Sequence, residues 1–417
     1  MRVLHLLHRS IPSSDGYAIR SREIVTKQRA KGLEPLVITS PSHAPLGELD
    51  SERSEYIDGI RYFRTCNSLL PGTRDIHQKS AFIAPFRILQ NAALVTTSLR
   101  VARKYRPAVI HGHSPFTCGL AADVVGRLMN VPSIYEMRWI WEDANPDRYK
   151  TTEGSLLYRG IRFLETRALK AADLCFVICE GLRQEITARG IPAGKIVVVP
   201  NGVDAKRFVP VEINSDLQRK LGLEGKIVMG FIGSFRDYEG LDLLVEAMIR
   251  LAAELPELQL VMIGGGDTMP DLRKRAAEAG VQDRVIFTGR VPHGEITDYY
   301  SLFDFMVLPR LDTRETRLVT PLKPLEIMAM GKALIASDIG GHREIVEDNL
   351  NGVMFKSEDV SDLAAKCLDM ARNEPLRLDL GRRAREWVVA HRDWNVLIDR
   401  YVEVYDALTR DRRALNG

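Results

Sequence analysis

Short apolar runs alternate with helix-like stretches along nearly the whole chain of 417 residues. The runs are rich in Val, Ile and Leu and are continuous rather than alternating, which is typical of strands buried on both faces of a parallel sheet. In the first half they predict strands at 2–7, 35–39, 108–111, 132–135, 174–178 and 195–199. Helical periodicity fills the intervals at 17–31, 79–105, 116–129, 154–171 and 180–189. Asp58-Gly59, between two short runs in 54–64, predicts an inserted hairpin.

The second half repeats this alternation. Strands are predicted at 227–232, 258–263, 284–288, 304–308, 333–336 and 352–355. Helices are predicted at 240–253, 269–279, 294–302, 321–330, 358–373 and 376–390. Two such series predict an α/β protein with two doubly wound, Rossmann-like parallel-sheet domains facing each other across a cleft.

The polar, proline-containing stretch 205–222 is the expected boundary between the two domains. The predicted division is 1–205, 206–390 and 391–417. An amphipathic helix at 392–410 has no strand to follow it, and we expect this last segment to cross back to the first domain.

Composition excludes several classes of protein. Hydrophobic residues make up 45% and charged residues 27%, as in a globular protein with full cores. The formal net charge of +3 argues against a nucleic-acid binder. Five cysteines without a C-x-x-C pair, and no long apolar run, predict a reduced, cytoplasmic protein. No acidic residue occurs between Ile76 and Ala122, and the segment 79–105 within this stretch is basic and amphipathic. It is either a domain helix with a solvated basic side or a peripheral contact with the inner face of an anionic membrane.

The strongest local signal for chemistry is the stretch from Thr320 to Glu326. Thr320 is suited to an N-cap and Pro321 to the first helical position, so a helix start is predicted there, with free N–H groups that favour an anion. Lys323 lies in the predicted first turn and can neutralise a phosphate, and Glu326 can accept both hydroxyls of a ribose. The alternative is a surface pair between Lys323 and Glu326.

Glycine-containing turns follow three of the predicted strands. They contain Gly16, the stretch from Gly233 to Gly240, and Gly264 to Gly266. None forms a dinucleotide or Walker motif, and each alone is explained by turn geometry. Together they predict a ligand close to the backbone at the carboxyl ends of the strands.

Two histidines two residues apart, His111 and His113, share one face of a predicted strand. No third ligand at metal spacing is evident, and no D-x-D occurs, so neither a metal nor another cofactor is expected. His113 has an acid/base or a structural role. Glu136 and Arg138 follow the next strand and either bind a polar ligand or form a salt bridge. Arginines also crowd 310–319.

Five stretches in this order resemble family 4 glycosyltransferases with the GT-B fold. They are PNGVD (200–204), GFIGSF (230–235), GGGD (264–267), DRVIFTGRVP (283–292) and the segment 321–352. SDGYAIRSRE, YEMRWIWED, GLRQEI and TPLKPLE resemble bacterial exopolysaccharide members most closely. The resemblance implies metal-independent, retaining transfer from a nucleotide diphosphate sugar, with the donor in the C-terminal domain and the acceptor in the N-terminal domain.

The family's roles carry over to individual positions. The resemblance implies that Glu326 binds the ribose, that Thr320, Pro321, Leu322 and Lys323 cradle the diphosphate, and that Arg290 and Val291 border the base. His113 matches the family's cleft histidine, and Gly16 matches the glycine that faces the diphosphate. Gly233, Ser234 and Arg236 complete the predicted donor side, with Glu136 and Arg138 on the acceptor side.

Three positions depart from the family pattern. The first glutamate of its E-x7-E motif falls at Leu318, and its usual Arg and Lys on the diphosphate fall at Ser234 and Glu239. We expect Lys323, Arg236 or Arg317 to replace the charge. Two alternative functions remain: a sugar-nucleotide 2-epimerase using His113 and Glu136, or a degenerate transferase homologue that acts as a binding protein.

Overall fold

The computed structural model describes residues 1–13, 15–41, 43, 49–65, 83–143, 153–292 and 294–416. The chain divides into two compact units, one of Met1–Pro200 with Leu397–Gly417 and the other of Asn201–Val396. Among the helices in these ranges, none is both long enough and apolar enough to cross a bilayer.

The first unit contains an eight-stranded sheet in the order β3-β4-β2-β1-β5-β6-β7-β8. Its strands are β1 Arg2–Leu7, β2 Glu34–Thr39, β3 Ser54–Ile57, β4 Ile60–Arg64, β5 Val109–His113, β6 Ser133–Met137, β7 Leu174–Val177 and β8 Ile196–Val198. Only the β3–β4 pair is antiparallel. Asp58 and Gly59 both have positive φ angles, 51° and 73°, which a two-residue hairpin turn requires, so the predicted hairpin is confirmed.

Helices cover both faces of this sheet. They are α1 Gly16–Ala30, α2 Ile83–Tyr105, α3 Phe116–Met129, α4 Leu156–Ala171 and α5 Glu180–Ala188, followed by the 3-10 turn Ala193–Lys195. One face packs the apolar side chains of β1 and β5 against α2 and α3. Chain order along the sheet reverses between β1 and β5, which is where ligands bind in open α/β sheets.

The second unit contains a fully parallel six-stranded sheet in the order β11-β10-β9-β12-β13-β14. Its strands are β9 Ile227–Ser234, β10 Leu258–Gly265, β11 Val285–Gly289, β12 Phe305–Leu308, β13 Ala333–Ser337 and β14 Val353–Phe355. Here the chain order reverses between β9 and β12. The core of this unit is one continuous apolar cluster built on these strands.

The remaining helices lie from residue 215 onward. They are α6 Ser215–Lys220, α7 Leu241–Leu251, α8 Met269–Glu278, α9 Ile296–Ser301, α10 Arg314–Leu318, α11 Lys323–Ala329, α12 Gly340–Arg343, α13 Val360–Arg372, α14 Glu374–Arg392 and α15 Trp394–Asn416. The 3-10 turns are Asp237–Glu239 and Gln282–Arg284. The short helix α10 lies in the arginine-rich stretch 310–319.

The units divide at residue 200, not within 205–222 as expected. The reason is a backbone pairing: the Val203 N–H donates to the Arg392 carbonyl, and the Trp394 N–H donates to the Val203 carbonyl. These bonds tie the start of the linker to the second unit. The chain returns to the first unit at Leu397, inside α15, six residues later than the predicted 391.

The predicted basic helix at 79–105 is α2, of which 79–82 lie outside the described residues. Its apolar side is packed on the sheet through Leu94 and Val101. Arg100 and Arg103 are exposed, and Lys104 pairs with Glu52. Among the side chains of α2 that the structure describes, none is a large exposed apolar one.

Candidate functional site

A buried carboxylate organises the point in the second unit where β9 and β12 meet. Glu239 is 2% exposed and accepts hydrogen bonds from Arg310 at 3.0 Å and 3.3 Å. Gly240 makes this approach possible because its φ is 63° and a Cβ there would lie 2.2 Å from the carbonyl oxygen of Pro309. Glycine therefore lets the 3-10 turn pack against the strand end that carries Arg310.

Lys323 joins the same carboxylate from α11. Its Nζ lies 2.8 Å from Glu239 Oε1, although the direction falls outside hydrogen-bonding geometry. The ammonium lies over the Phe231 ring at 4.7 Å, and a Cβ on Gly233 would be 2.3 Å from Nζ. Gly233 thus leaves room for a cation at the carboxyl end of β9. An ammonium has three N–H donors, and the contact with Glu239 uses at most one of them, so donors remain for an anion.

The charged side chains around Glu239 shift one another's pKa values. Burial by itself raises the pKa of Glu239, but Arg310 and Lys323 lower it to about 2. Burial lowers the pKa of Lys323, and Glu239 opposes that shift. Glu326 also acts on Lys323, and Glu315 also acts on Arg310, so the buried cations are balanced by more than one carboxylate.

The helix start predicted at Thr320 is wrong. The helix α11 begins at Lys323, with Leu322 as an N-cap that makes no side-chain bond. Thr320 is buried, and both its carbonyl oxygen and its hydroxyl contact Asn201 Nδ2, at 2.9 Å and 3.4 Å. This contact holds Thr320 and Pro321 outside the helix, and Pro324 occupies the first turn in place of Pro321.

Glu326 lies one turn into α11 and is half-buried. One carboxylate oxygen accepts a hydrogen bond from the Tyr300 hydroxyl at 2.9 Å, and burial raises the pKa of this carboxyl group. Tyr300 fixes the orientation of the carboxylate. The second oxygen can accept from a hydroxyl group of a ligand.

The other residues predicted on the donor side do not join this group. Arg236 is exposed and pairs with Asp267 at 2.6 Å. Arg317 pairs in the same way with Asp312. Each arginine therefore forms an ion pair with an aspartate. Three of the remaining predicted positions are exposed, namely Gly16, Ser234 and Arg290. Val291 packs against the core of the second unit.

In the first unit a closed ring of side-chain contacts connects β1, β5, β6, α1 and α15. Its members, in order, are Arg138, His113, His5, Gln28, Tyr405, His111 and Glu136, which returns to Arg138. All seven are at most 5% exposed. The rings of His111 and His113 stack at 3.9 Å, as expected for residues on one face of a strand.

One assignment of protons satisfies the hydrogen bonds of the ring; His111 Nε2 only contacts Glu136 Oε2, at 3.3 Å and outside hydrogen-bonding geometry. His5 Nε2 donates to Gln28 Oε1 at 2.8 Å, so His5 Nδ1 accepts from His113 Nε2 at 2.9 Å. His113 Nδ1 then accepts from Arg138. Tyr405 accepts from the Gln28 amide and donates to His111 at 2.7 Å. Every imidazole is neutral in this arrangement.

The electrostatics agree with neutral imidazoles. Burial lowers the pKa of His5 to about 3, and it lowers the pKa of His111 and His113 as well. Although burial opposes it, Arg138 and then Arg20 hold the pKa of Glu136 well below its usual range. The ring therefore contains one carboxylate, and its charge is balanced by arginines.

His5 supplies the third histidine that the sequence did not reveal. Candidate ligand atoms of His5, His111 and His113 lie within 4.8 Å of one another. Both ring nitrogens of His5 and His113 are hydrogen-bonded, His111 Nδ1 contacts Tyr405, and the Arg138 guanidinium contacts His113. This donor set does not suit a cation. In the same arrangement neither nitrogen of His113 is available to a substrate.

The sequence identified most of the functional residues but not the side chains that they contact. His5 stands within the apolar run RVLHLL, and a polar residue in a buried strand was a usable signal. Tyr401 and Tyr405 are one helical turn apart, and Tyr401 donates to Glu136 at 2.9 Å. No local pattern pairs Glu239 with Arg310, 71 residues away.

Comparison with known proteins connects both units to sugar transfer. A model described as "Glycosyl transferase 4-like domain" matches residues 15–202, and one described as "Glycosyl transferases group 1" matches 214–387. HepE from Anabaena, solved in complex with UDP, has a TM-score of 0.72 at 15% identity, covering 98% of this chain and 100% of that one. Sucrose-phosphate synthase from Thermosynechococcus elongatus has a TM-score of 0.77 at 20% identity, covering 99% and 100%.

Curated relatives match between about half and nearly all of this chain. A GDP-mannose-dependent phosphatidylinositol monomannoside mannosyltransferase of Mycobacterium tuberculosis is 29% identical over 49% of this chain, and the match spans 54% of that enzyme's length. Sulfoquinovosyl transferase SQD2 of Arabidopsis thaliana is 24% identical over 93% of this chain and 82% of that one. The two doubly wound units define the GT-B class of glycosyltransferases. Within that class, the chain belongs to the family 4 type.

Proposed function

We propose that this protein transfers a hexose-type sugar from a nucleotide diphosphate sugar to a glycan or lipid-linked acceptor in polysaccharide assembly of the exopolysaccharide type. Family membership supports the reaction class. HepE was solved with UDP and with UDP-glucose, and the mycobacterial relative is named for GDP-mannose. UDP and GDP are therefore the first nucleotides to examine.

The ammonium of Lys323 carries the proposal. It lies at the carboxyl end of β9, beside Gly233, and its ion pair with Glu239 leaves N–H donors for an anion. The leaving diphosphate gains negative charge as the bond to the sugar breaks, and a fixed buried cation stabilises that charge without reorganisation. Arg310 adds a second positive charge behind Glu239. Lys323 thus supplies from α11 the charge that the family places at position 239.

Glu326 is proposed to accept the ribose hydroxyls. Its orientation is fixed by Tyr300, and it lies on the same helix as Lys323. The carboxylate of Glu326 would bind the nucleoside, and the ammonium of Lys323, about one turn earlier, would bind the attached diphosphate. Glu326→Gln keeps the size of the side chain and should weaken binding of UMP and UDP alike.

The decisive experiment compares UDP with UMP on Lys323→Met. Loss of a charge-assisted contact costs very roughly 1.5–3 kcal/mol, so we expect UDP affinity to fall about tenfold or more by calorimetry. UMP affinity should change little, because the nucleoside contacts remain. Lys332→Met is the matched control: Lys332 is a half-buried lysine of the same unit that donates to the Ser301 carbonyl. An unchanged UDP affinity in Lys323→Met would refute the assignment.

The stereochemistry and the absence of a metal requirement are parts of the same proposal. Because Lys323 and Arg310 supply positive charge, we expect transfer to persist in excess EDTA. The family resemblance implies retention, so the product should keep the anomeric configuration of the donor, as NMR of the first product formed would reveal. Abolition by EDTA, or an inverted product, contradicts the corresponding part.

The two alternatives predict different outcomes. An epimerase converts a nucleotide sugar without any acceptor, and the buried ring now leaves His113 and Glu136 without a free group for such acid/base chemistry. A degenerate binding protein would bind no nucleotide diphosphate. A thermal-shift screen against UDP, GDP and ADP separates these outcomes, since a ligand at a hundred times its dissociation constant stabilises by about 2.7 kcal/mol.

The acceptor side is proposed to lie in the first unit. Glu136 and Arg138 hold the ends of β5 and β6 together there. If the acceptor is lipid-linked, exposed basic side chains of this unit, which include those of α2, would bring the protein to an anionic membrane. Vesicle binding tests this hypothesis in the experiment described below.

A further inference from the structure

Helix α4 exposes large apolar side chains on the side opposite its buried face. Leu156 is 86% exposed and Phe163 is 62% exposed, and Leu157 and Leu164 are also exposed. These positions repeat at intervals of seven and eight residues, so they form one stripe along the helix. The buried side is formed by a separate set, namely Tyr158, Glu165, Ala168 and Leu169. The helix is therefore apolar on two faces, and only one of them is packed.

The exposed charges of α4 are all positive. Arg159, Arg167 and Lys170 are exposed, and Arg162 is partly exposed with a 3.4 Å contact to Glu185. The helix has one acid, Glu165, which is fully buried and accepts from the Phe116 N–H and the Tyr135 hydroxyl. The nearest exposed acids along the chain are Asp173, two residues after the helix, which pairs with Arg412, and Glu153, three residues before it.

We propose that α4 docks on an anionic membrane surface, with Leu156, Leu157, Phe163 and Leu164 inserted between headgroups and the basic side chains facing lipid phosphates. An apolar stripe flanked by Arg and Lys is the arrangement of helices that lie in the bilayer interface. A second copy of this chain fits less well, because pairing two such faces would bring like charges together. The basic residues thus select an anionic bilayer as the occupant.

The position of α4 gives docking a consequence. It connects β6 to the parallel strand β7, so it runs against the strand direction and begins near the carboxyl edge of the sheet. Leu156 and Leu157 lie in its first turn. Docking would bring this edge to the membrane, where a lipid-linked acceptor would be presented. That last step rests on the proposed function, whereas the docking itself does not.

The test is flotation of the full chain with phosphatidylcholine vesicles, with and without phosphatidylglycerol. We expect salt-sensitive binding to the anionic vesicles only. Leu156→Ser/Phe163→Ser should weaken the partition by at least roughly tenfold. Its matched control is Leu378→Ser/Val389→Ser on α14, where two exposed apolar residues stand among acids, Asp379 and Glu386, as well as arginines. The control should bind like the parent.

A charge pair of variants decides between α4 and α2. Arg159→Gln/Arg167→Gln should weaken binding roughly tenfold or more, whereas Arg100→Gln/Arg103→Gln on α2 should have a smaller effect. The replaced side chains are exposed, so the melting temperature should stay unchanged. The proposal is overturned if the parent does not float, if the α14 control loses binding equally, or if only the α2 variant does. Concentration-dependent self-association that Leu156→Ser/Phe163→Ser abolishes, without vesicle binding, would assign the face to a second copy.

Transfer assays on a soluble acceptor keep this result separate from the proposed function. Loss of vesicle binding with normal transfer contradicts docking alone, and absence of transfer with normal vesicle binding contradicts the proposed function alone.

Discussion

Removing the charge of Glu239 should destabilise the protein strongly, because this carboxylate lies between two cations. Glu239→Gln keeps the size of the side chain but leaves Arg310 and Lys323 facing each other in a buried position. Removing one partner from a buried ion pair costs about 3–5 kcal/mol. We therefore expect a loss of this size in the free energy of unfolding, measured by urea denaturation at neutral pH.

The pH dependence of the same variant gives an independent test. Burial already lowers the pKa of Lys323, and Glu239 is the main group that raises it, with a smaller contribution from Glu326. Without Glu239 the folded-state pKa should fall further, while the unfolded lysine titrates near 10.5. The unfolded state then binds more protons, so stability must rise with pH, and the deficit of Glu239→Gln should shrink between neutral pH and mildly alkaline pH.

A double-mutant cycle with Lys323→Met isolates the ion pair. Lys323→Met alone should cost little, because Glu239 keeps Arg310 at 3.0 Å. In the Lys323→Met background, Glu239→Gln should cost less than in the parent, since one of the two unpaired cations is gone. A deficit under about 1 kcal/mol, or the same deficit in both backgrounds, would refute the claim that this carboxylate holds two buried cations.

Three further predictions concern the first unit. Stability should fall as the pH is lowered from 6.5 towards 3, by about 1.4 kcal/mol per pH unit for His5 alone. The reason is that the imidazole takes up its proton near pH 6.5 in the unfolded chain, whereas the pKa of buried His5 is about 3. A flat profile in calorimetric melts would contradict neutral imidazoles. Tyr405→Phe removes the hydroxyl between Gln28 and His111 and should cost about 1–3 kcal/mol, whereas Tyr56→Phe, at an exposed site, should cost nothing measurable. Burial raises the pKa of Glu165 to about 8, so its contribution has the opposite sign and declines as pH rises from 4.5 to 8; Glu165→Gln should flatten that part of the profile, and an unchanged slope would argue against a buried protonated carboxyl.

The sequence by itself was enough for the architecture. Continuous apolar runs separated by helical periods predict buried parallel strands, and each predicted strand is present. Asp58-Gly59 predicts the hairpin because both residues tolerate a positive φ. These signals are local: period and turn chemistry depend on neighbours within one element. The position just after each strand was predictable for the same reason, since parallel strands end at one edge.

Tertiary structure decided which side chains meet. Two prolines three residues apart, Pro321 and Pro324, are both suited to a helix start, and the contact of Thr320 with Asn201, 119 residues away, selects the second. Likewise, the local sequence at Glu239 shows only that the lysine expected from the family pattern is absent. In the folded protein, Lys323 on α11 brings a cation to this position. Periodicity specifies the face on which a residue lies, but the partner across that face is set by packing between distant segments, and such pairings have no local signature.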